Sequence, residues 1–385
     1  MQYEQVKKLL KRFKDGESTE EELILVNYWL HKLGEKSDLS LVDLETAHDD
    51  IWLMLQNEKI VPKTYAKLMY FASGVSIVLL AIVGILFFRT KEKPTLNYAN
   101  DISPGGYKAF LTLSNGKKIN LINAKNGQIA KEAGLRIIKT KDGQLVYTVS
   151  DTDYLTTLPA YNTIRTPKGG TYQIVLPDSS VVWLNAASSI KFPSTFRGLK
   201  ERKIELFGEA YFEIKTIYAP DEQQVSNGKR VPFSVITRNQ IVTVLGTHFN
   251  INSYPDEPAV KTTLLEGSVK VTPLHRQSQI SILKPGQQSV VTDKLITVVP
   301  VDTEEIVAWK NGDFVFKEGE DFKVIMRKIA RWYDVEVDYD ASAPKHFSPG
   351  GWVSRAKDIS SVLSMMEKTN EIHFKVKGRK ITVLK

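Results

Sequence analysis

Apolar residues near the N-terminus recur at helical spacing in three short segments. Gly16 and Gly34 end the first two segments, and Ser18 with Glu21 has the spacing of a capping box. The apolar positions are Val6, Leu9, Leu10 and Phe13; Leu23, Leu25, Val26, Trp29, Leu30 and Leu33; and Leu41, Leu44, Ala47, Ile51, Trp52 and Leu55. This period predicts a small all-α bundle over residues 1–60.

An uncharged apolar run covers residues 68–88, which is twenty-one residues. A helix needs about 20 apolar residues to cross the hydrocarbon layer of a membrane. Buried core helices are usually shorter, and a cleavable signal would lie at the extreme N-terminus. We therefore expect one transmembrane helix. Its orientation stays open at this point, because three lysines precede it and three basic residues follow it.

After residue 100 the pattern changes to short runs of alternating apolar and polar residues separated by turns. A weak internal repeat relates residues 105–121 to 169–184, each with the pattern strand, turn, strand. We predict an all-β domain over residues 100–300, as either a sandwich or a solenoid. The predicted strands are 109–113, 118–122, 145–149, 172–176, 203–206, 210–215, 233–237, 241–245, 249–254, 261–265, 268–272, 279–283 and 287–292.

The last part of the chain alternates between strand and helix patterns. Strands are predicted at 313–316, 335–339, 351–353, 372–376 and 380–384, and helices at 321–333 and 358–368. This order predicts a separate α+β domain over residues 308–385 that contains two βαβ units. The expected fold class is thus a multidomain membrane protein with a small all-α domain, one membrane span, a β-rich domain and an α+β domain.

The distribution of charge argues against direct binding to nucleic acid. The chain of 385 residues has a formal net charge of +8, which by itself would suit phosphate binding. Residues 1–67, however, contain ten basic and thirteen acidic residues, which leaves +11 for the remainder. The basic part therefore follows the predicted span and is separated from nucleic acid if the N-terminus is cytoplasmic. The acidic bundle would suit a basic protein partner, although its charges could also merely solvate its surface.

Candidate catalytic and metal-binding residues are sparse. The chain has no cysteine, which excludes disulfides, thiolate catalysis and iron–sulfur ligation. It also has no glycine-rich phosphate loop or serine-hydrolase motif, so we predict neither an enzyme nor a cofactor. The six histidines do not have metal-site spacing, and no metal is predicted; they are His31, His48, His248, His275, His346 and His373.

One enzymatic alternative remains, because Glu209, Glu213 and Glu266 could supply a glycosidase carboxylate pair. Against it, Glu209 follows Phe207 and Gly208 at an apparent strand edge, where a carboxylate more often accepts hydrogen bonds. A membrane-anchored glycan-binding protein is a further alternative.

Specific strings over residues 161–275 resemble the FecR family. The resemblance rests on LPDSSVVWLNA, residues 176–186; LFGEAYFE, residues 206–213; VLGTHFN, residues 244–250; and LLEGSVKV, residues 264–271. Ser179 departs from the family pattern, which usually has glycine there, so this turn must avoid a positive φ or bear its cost. The motif residues are Leu176, Pro177, Asp178, Leu184, Asn185, Gly208, Glu209, Phe212, Gly246, Thr247, Phe249, Glu266 and Gly267.

The resemblance extends to both ends of the chain. The N-terminal segment with Glu21, Glu22, Trp29 and Trp52 is similar to the sigma-binding domain of such regulators. The C-terminal part is similar to the signalling domain of TonB-dependent transducers.

The family resemblance implies an inner-membrane anti-sigma factor with a cytoplasmic N-terminus and a periplasmic C-terminus. It would receive a signal from the periplasmic signalling domain of an outer-membrane TonB-dependent transducer. It would pass that signal to an ECF sigma factor in the cytoplasm, with cleavage by proteases at the membrane.

Overall fold

The computed structural model describes residues 101–385 except 133–134, 142, 150–159, 220–228 and 276–278, together with Arg12 and Thr19. The described part beyond residue 100 belongs to one compact unit, Pro94–Lys385. The predicted membrane span at 68–88 lies outside the described residues, as does the predicted bundle apart from Arg12 and Thr19. Among the described residues, no helix is long and apolar enough to cross a membrane.

The described residues from 101 to 300 form a large β-rich domain. Its strands are β1 (Gly106–Tyr107), β2 (Phe110–Thr112), β3 (Lys118–Asn120), β4 (Gly127–Glu132), β5 (Leu135–Lys139), β6 (Leu145–Val149), β7 (Tyr161–Arg165), β8 (Gly170–Val175), β9 (Val181–Leu184), β10 (Ser189–Pro193), β11 (Arg202–Ile214), β12 (Phe233–Ile236), β13 (Gln240–Val244), β14 (Thr247–Ser253), β15 (Val260–Glu266), β16 (Val269–Pro273), β17 (Ser281–Leu283), β18 (Gln287–Val291) and β19 (Ile296–Pro300). Strands β1, β4, β5, β7, β10 and β19 were not among the predicted strands, and β9 was implied only by the internal repeat.

These strands form two sheets that share β11. In the first sheet the order is β3-β2-β7-β10-β11-β12-β13-β16-β17. In the second it is β4-β5-β6-β8-β9-β11-β14-β15-β18-β19. Most neighbours are antiparallel, but β11–β12 and β6–β8 are parallel, and β1 adds to β8 in parallel.

Strand β11 serves both sheets because it changes direction at Gly208. Its first half pairs with β10 and β12, whereas Gly208–Ile214 pairs with β14. Gly208 has a φ of +83°, and a Cβ there would lie 2.9 Å from Ser188 Cα, so only glycine fits. The two strands predicted at 203–206 and 210–215 are therefore one strand. Glu209 lies within this strand and not at its edge, which corrects the prediction.

The two sheets enclose a single hydrophobic core. Strands show the alternation that one buried face requires, as in β8, where buried and half-buried residues alternate without exception. Ile164 and Val235 of the first sheet and Phe212 and Phe249 of the second are fully buried in the same cluster. The rings of Phe212 and Phe249 stack with centroids 4.8 Å apart.

The internal repeat appears in the structure as two turns with the same hydrogen bonding. In one, Leu113 O accepts from Gly116 N at 2.9 Å; in the other, Leu176 O accepts from Ser179 N, also at 2.9 Å. Gly116 has a φ of +81° and Ser179 a φ of +66°. The second turn therefore keeps the left-handed conformation and bears its cost of about 1–2 kcal/mol.

A short helix, α1 (Thr303–Val307), leads into the C-terminal α+β domain. The elements of that domain are β20 (Asp313–Phe316), α2 (Phe322–Tyr333), β21 (Glu336–Tyr339), β22 (Gly351–Ser354), α3 (Ile359–Glu367), β23 (His373–Lys377) and β24 (Lys380–Leu384). Asp321 caps α2 by accepting from Lys323 N at 2.7 Å. The apolar faces of α2 and α3 form a second core with strand residues such as Phe314 and Ile381.

The strand pairing of this domain differs from that of two separate βαβ units. A βαβ unit has both strands parallel in one sheet, yet β20 pairs antiparallel with β22 only, and β21 pairs in parallel with β24. Strand β23 then pairs antiparallel with β24. The predicted element order is present, but each helix connects strands of two different small sheets.

Candidate functional site

Three polar side chains of the β-rich domain meet on neighbouring strands of the second sheet. Asn185 follows β9, Glu209 lies on β11 and Asn250 on β14. Asn185 Nδ2 donates to Glu209 Oε2 at 2.8 Å, and Asn250 Nδ2 donates to Glu209 Oε1 at 3.1 Å. Both carboxylate oxygens of the buried Glu209 are therefore held by amides. We call these three residues the amide–carboxylate cluster.

Residues of the C-terminal region complete this cluster from the other side. Trp309 Nε1 donates to Asn250 Oδ1 at 3.2 Å, and Arg355 donates to Asn185 Oδ1 at 3.1 Å. Arg355 is only 3% exposed, and its guanidinium lies 3.8 Å from the centre of the Trp332 ring. Burial lowers the pKa of Arg355 to about 10, so the side chain keeps its charge at neutral pH. The cluster thus connects the two domains.

A second contact between the domains is ionic. Arg327 and Arg331 lie one turn apart on α2, and both bind Glu257, which lies in the loop after β14. Arg327 donates to both oxygens of Glu257, at 3.1 and 2.6 Å, and Arg331 donates to Oε1 at 2.7 Å and to Asp256 at 2.8 Å. Burial alone would raise the pKa of Glu257, but these arginine hydrogen bonds lower it below its ordinary value.

Tyr254 connects the two contacts. Its hydroxyl donates to Ala186 O at 2.6 Å and lies 3.2 Å from Ser188 Oγ, while the Arg331 guanidinium lies 3.8 Å from its ring centre. Complete burial, and secondarily the charge of Glu209, raises the pKa of Tyr254, which therefore stays protonated. A cavity of about 150 Å³ lies next to these residues and is lined by both domains.

Among the remaining motif residues, Asp178 has a clear structural partner. Arg202 donates to Asp178 Oδ2 at 2.7 Å and to the carbonyl oxygens of Lys215 and Val231, both at 2.8 Å. Asp178 also accepts from the amide of Ser180 at 3.0 Å. This buried ion pair holds the turn at Ser179 against β11.

The other motif residues lie in the core or in turns. Leu176, Leu184, Phe212 and Phe249 are core residues. Pro177 lies in the turn after β8, Gly246 and Thr247 lie where β14 begins, and Glu266 and Gly267 lie where β15 ends. Gly267 has a φ of +94°, and a Cβ there would meet Gly246 O at 2.9 Å. The sigma-binding candidates Glu21, Glu22, Trp29 and Trp52 lie outside the described residues.

Glu209 and Glu213 do not form the carboxylate pair of a glycosidase. Glu213 is four residues from Glu209 on β11, which corresponds to roughly 13 Å along a strand, more than the 5–9.5 Å of such pairs. Glu266 is exposed and pairs with His248 Nδ1 at 2.9 Å. Within the part of the chain that the structure describes, no group of three or more acidic or histidine side chains could hold a metal ion.

Several residues of the site had no sequence signal of their own. Tyr254, Glu257 and Arg355 were not singled out, because their partners are distant in sequence, and each contacts at least one residue of the other domain. Only the spacing of Arg327 and Arg331, four residues apart on a predicted helix, could have indicated a shared acidic partner.

Comparisons with known proteins agree on the family of these domains. Residues 162–270 match the family model described as FecR protein, and residues 313–383 match the one described as FecR, C-terminal. Two crystal structures of a "putative anti-sigma factor" from Parabacteroides distasonis ATCC 8503, at 2.50 and 1.65 Å resolution, are each 26% identical in sequence. Their TM-scores are 0.51 and 0.50; each covers 58% of this chain, and 99% and 98% of their own chains are covered. No curated protein matches.

Proposed function

We propose, from the premise that this chain is a FecR-family protein with a FecR domain and a FecR C-terminal domain, that it is a membrane-anchored anti-sigma factor. The observation that carries this proposal is the structural similarity to the Parabacteroides protein, which extends over 58% of this chain and nearly all of that one. Both oxygens of the buried Glu209 carboxylate are engaged by amides, which supports a structural and not a catalytic role for this glutamate.

In this proposal the N-terminal segment binds an ECF sigma factor in the cytoplasm. The net charge of −3 over residues 1–67 suits a basic surface on that partner. The uncharged run 68–88 anchors the chain in the inner membrane and leaves the FecR domains in the periplasm.

The periplasmic domains then receive a signal from an outer-membrane TonB-dependent transducer through its signalling domain. One helix transmits little conformational work by itself, so proteolysis near the membrane or a change in domain stability is the proposed switch.

Co-purification of the full chain from native membranes tests the anti-sigma function. We expect an ECF sigma factor among the proteins identified by mass spectrometry, and we expect its loss when Glu21 and Glu22 are both changed to lysine. Glu336→Lys, an exposed change in the C-terminal domain, is the matched control and should retain the sigma factor. Absence of a sigma factor from the wild-type preparation would refute the proposal.

A second preparation tests the relay. The purified signalling domain of a transducer from the same genome is titrated against the full chain by calorimetry, and saturable binding is expected. Hydrolysis of a glycan panel, lost on changing Glu209 or Glu266, would instead support the glycosidase alternative.

A further inference from the structure

The first described residues beyond the predicted membrane span are held by the C-terminal domain. We call residues 101–107 the strap. Ile102 is 7% exposed and belongs to the hydrophobic core of the C-terminal domain, although it precedes the FecR domain in sequence. At the other end of the strap, Tyr107 lies on β1, which pairs with β8 of the FecR domain. The strap therefore contacts both domains.

The strap supplies the cap of helix α3. Asp358 occupies the N-cap position of α3, but its side chain makes no capping hydrogen bond among the described residues. Asp101 accepts instead from Ser360 N at 3.2 Å and from the Ser360 hydroxyl, and Ile102 O accepts from Ile359 N at 3.0 Å. Two residues far away in sequence thus accept hydrogen bonds from the first turn of this nine-residue helix.

The middle of the strap passes the junction between the domains. Gly105 lies so close to the Trp332 ring that a Cβ would be 2.7 Å from it. Gly106 N donates to Gly169 O at 2.9 Å, and Gly169 N donates to Arg331 O at 2.7 Å. If α2 or α3 moves, the contacts that hold the strap therefore change as well.

We propose that the strap is a releasable tether, which a partner bound to the C-terminal domain detaches from helix α3. This rests on the proposed function, because that function places a membrane span before the strap in the sequence. One apolar side chain and one cap hold the tether at its membrane-proximal end. A segment with so few contacts opens at a small fraction of the global unfolding free energy, and movement of α3 breaks the cap and the hydrogen bond from Ile359 N to Ile102 O together.

Thiol labelling tests the tether directly, since the chain has no native cysteine. In the full chain, Ile102→Cys should react with a maleimide far more slowly than the matched Ser103→Cys, which is exposed. Adding Asp101→Ala to Ile102→Cys should accelerate labelling about five-fold, the factor that corresponds to loss of a helix cap. Equal rates at positions 102 and 103, or no acceleration by Asp101→Ala, would overturn the tether.

A sigma-dependent reporter in cells tests the coupling without an inducer. Ile102→Asp, which places a charge in the core, should change reporter output about five-fold or more, whereas the matched Ser103→Asp should not. Asp101→Ala, which leaves the core intact, should change it in the same direction and covers the case in which Ile102→Asp does not fold. Slow, cap-dependent labelling with an unchanged reporter would overturn the coupling.

Sigma-factor co-purification from the wild-type cells separates the two proposals. If the sigma factor is absent there, the proposed function has failed, whereas the thiol-labelling result still decides whether the tether exists. If the sigma factor is present, an unchanged reporter counts against the coupling alone.

Discussion

Replacement of Asp178 by alanine should destabilise the FecR domain strongly. The Asp178–Arg202 pair has an oxygen–nitrogen distance of 2.7 Å, and the two side chains are 4% and 1% exposed. Breaking a buried pair leaves an uncompensated charge and costs about 3–5 kcal/mol. Two carbonyl oxygens also accept from Arg202, so we expect a value near the lower end, about 3 kcal/mol.

Urea unfolding of the purified full chain, followed by tryptophan fluorescence, measures this effect. With a slope of about 2–3 kcal/mol per molar urea, a loss of about 3 kcal/mol lowers the midpoint of the FecR-domain transition by about 1–1.5 M. The matched control is Glu205→Ala on β11, the strand that carries Arg202. Glu205 pairs with Lys191 at 3.4 Å, but their side chains are 56% and 47% exposed, respectively, so loss of this pair should cost less than about 1 kcal/mol.

A double variant distinguishes burial of an unpaired charge from simple loss of a hydrogen bond. Changing Asp178 to alanine together with Arg202 to methionine removes both charges and should recover part of the lost stability. If Asp178→Ala lowers the midpoint no more than Glu205→Ala does, the reasoning about this buried pair is wrong.

Three further predictions concern the turn, the ionic contact and the strap. Ser179→Gly should raise thermal stability by about 0.5–1 kcal/mol, because glycine adopts the positive φ at lower cost; no increase would contradict this. The lowered pKa of Glu257 stabilises the fold above its ordinary value of 4.5, and this contribution is lost as the pH falls through the lowered pKa. Thermal melts across pH should show that loss in wild type and not in Glu257→Gln. Gly105→Ala should destabilise by about 1–3 kcal/mol through its clash with Trp332, and a wild-type melting temperature would refute it.

Local patterns predicted the elements whose determinants lie within the element itself. Helix α2 was expected over 321–333 and runs from Phe322 to Tyr333, because its cap Asp321 and its apolar period are both local signals. Strand β20 at Asp313–Phe316 and strand β24 at Lys380–Leu384 have the predicted bounds for the same reason.

Strand β11 shows where local patterns are insufficient. Two strands were predicted, one on each side of Gly208, yet the positive φ of Gly208 bends a single strand so that it can join two sheets. Glycine permits several conformations, and the pairing partners select among them.

The sequence by itself determined the family motifs, the alternation of strands and the order of elements in the C-terminal domain, since these depend on residues close together in the chain. Only the tertiary structure decided that Arg355 reaches Asn185, 170 positions away, and that Asp101 caps α3, 259 positions from Ser360. Such contacts have no local signature, because each polar group could be satisfied equally well by water until packing of the two cores removes that water.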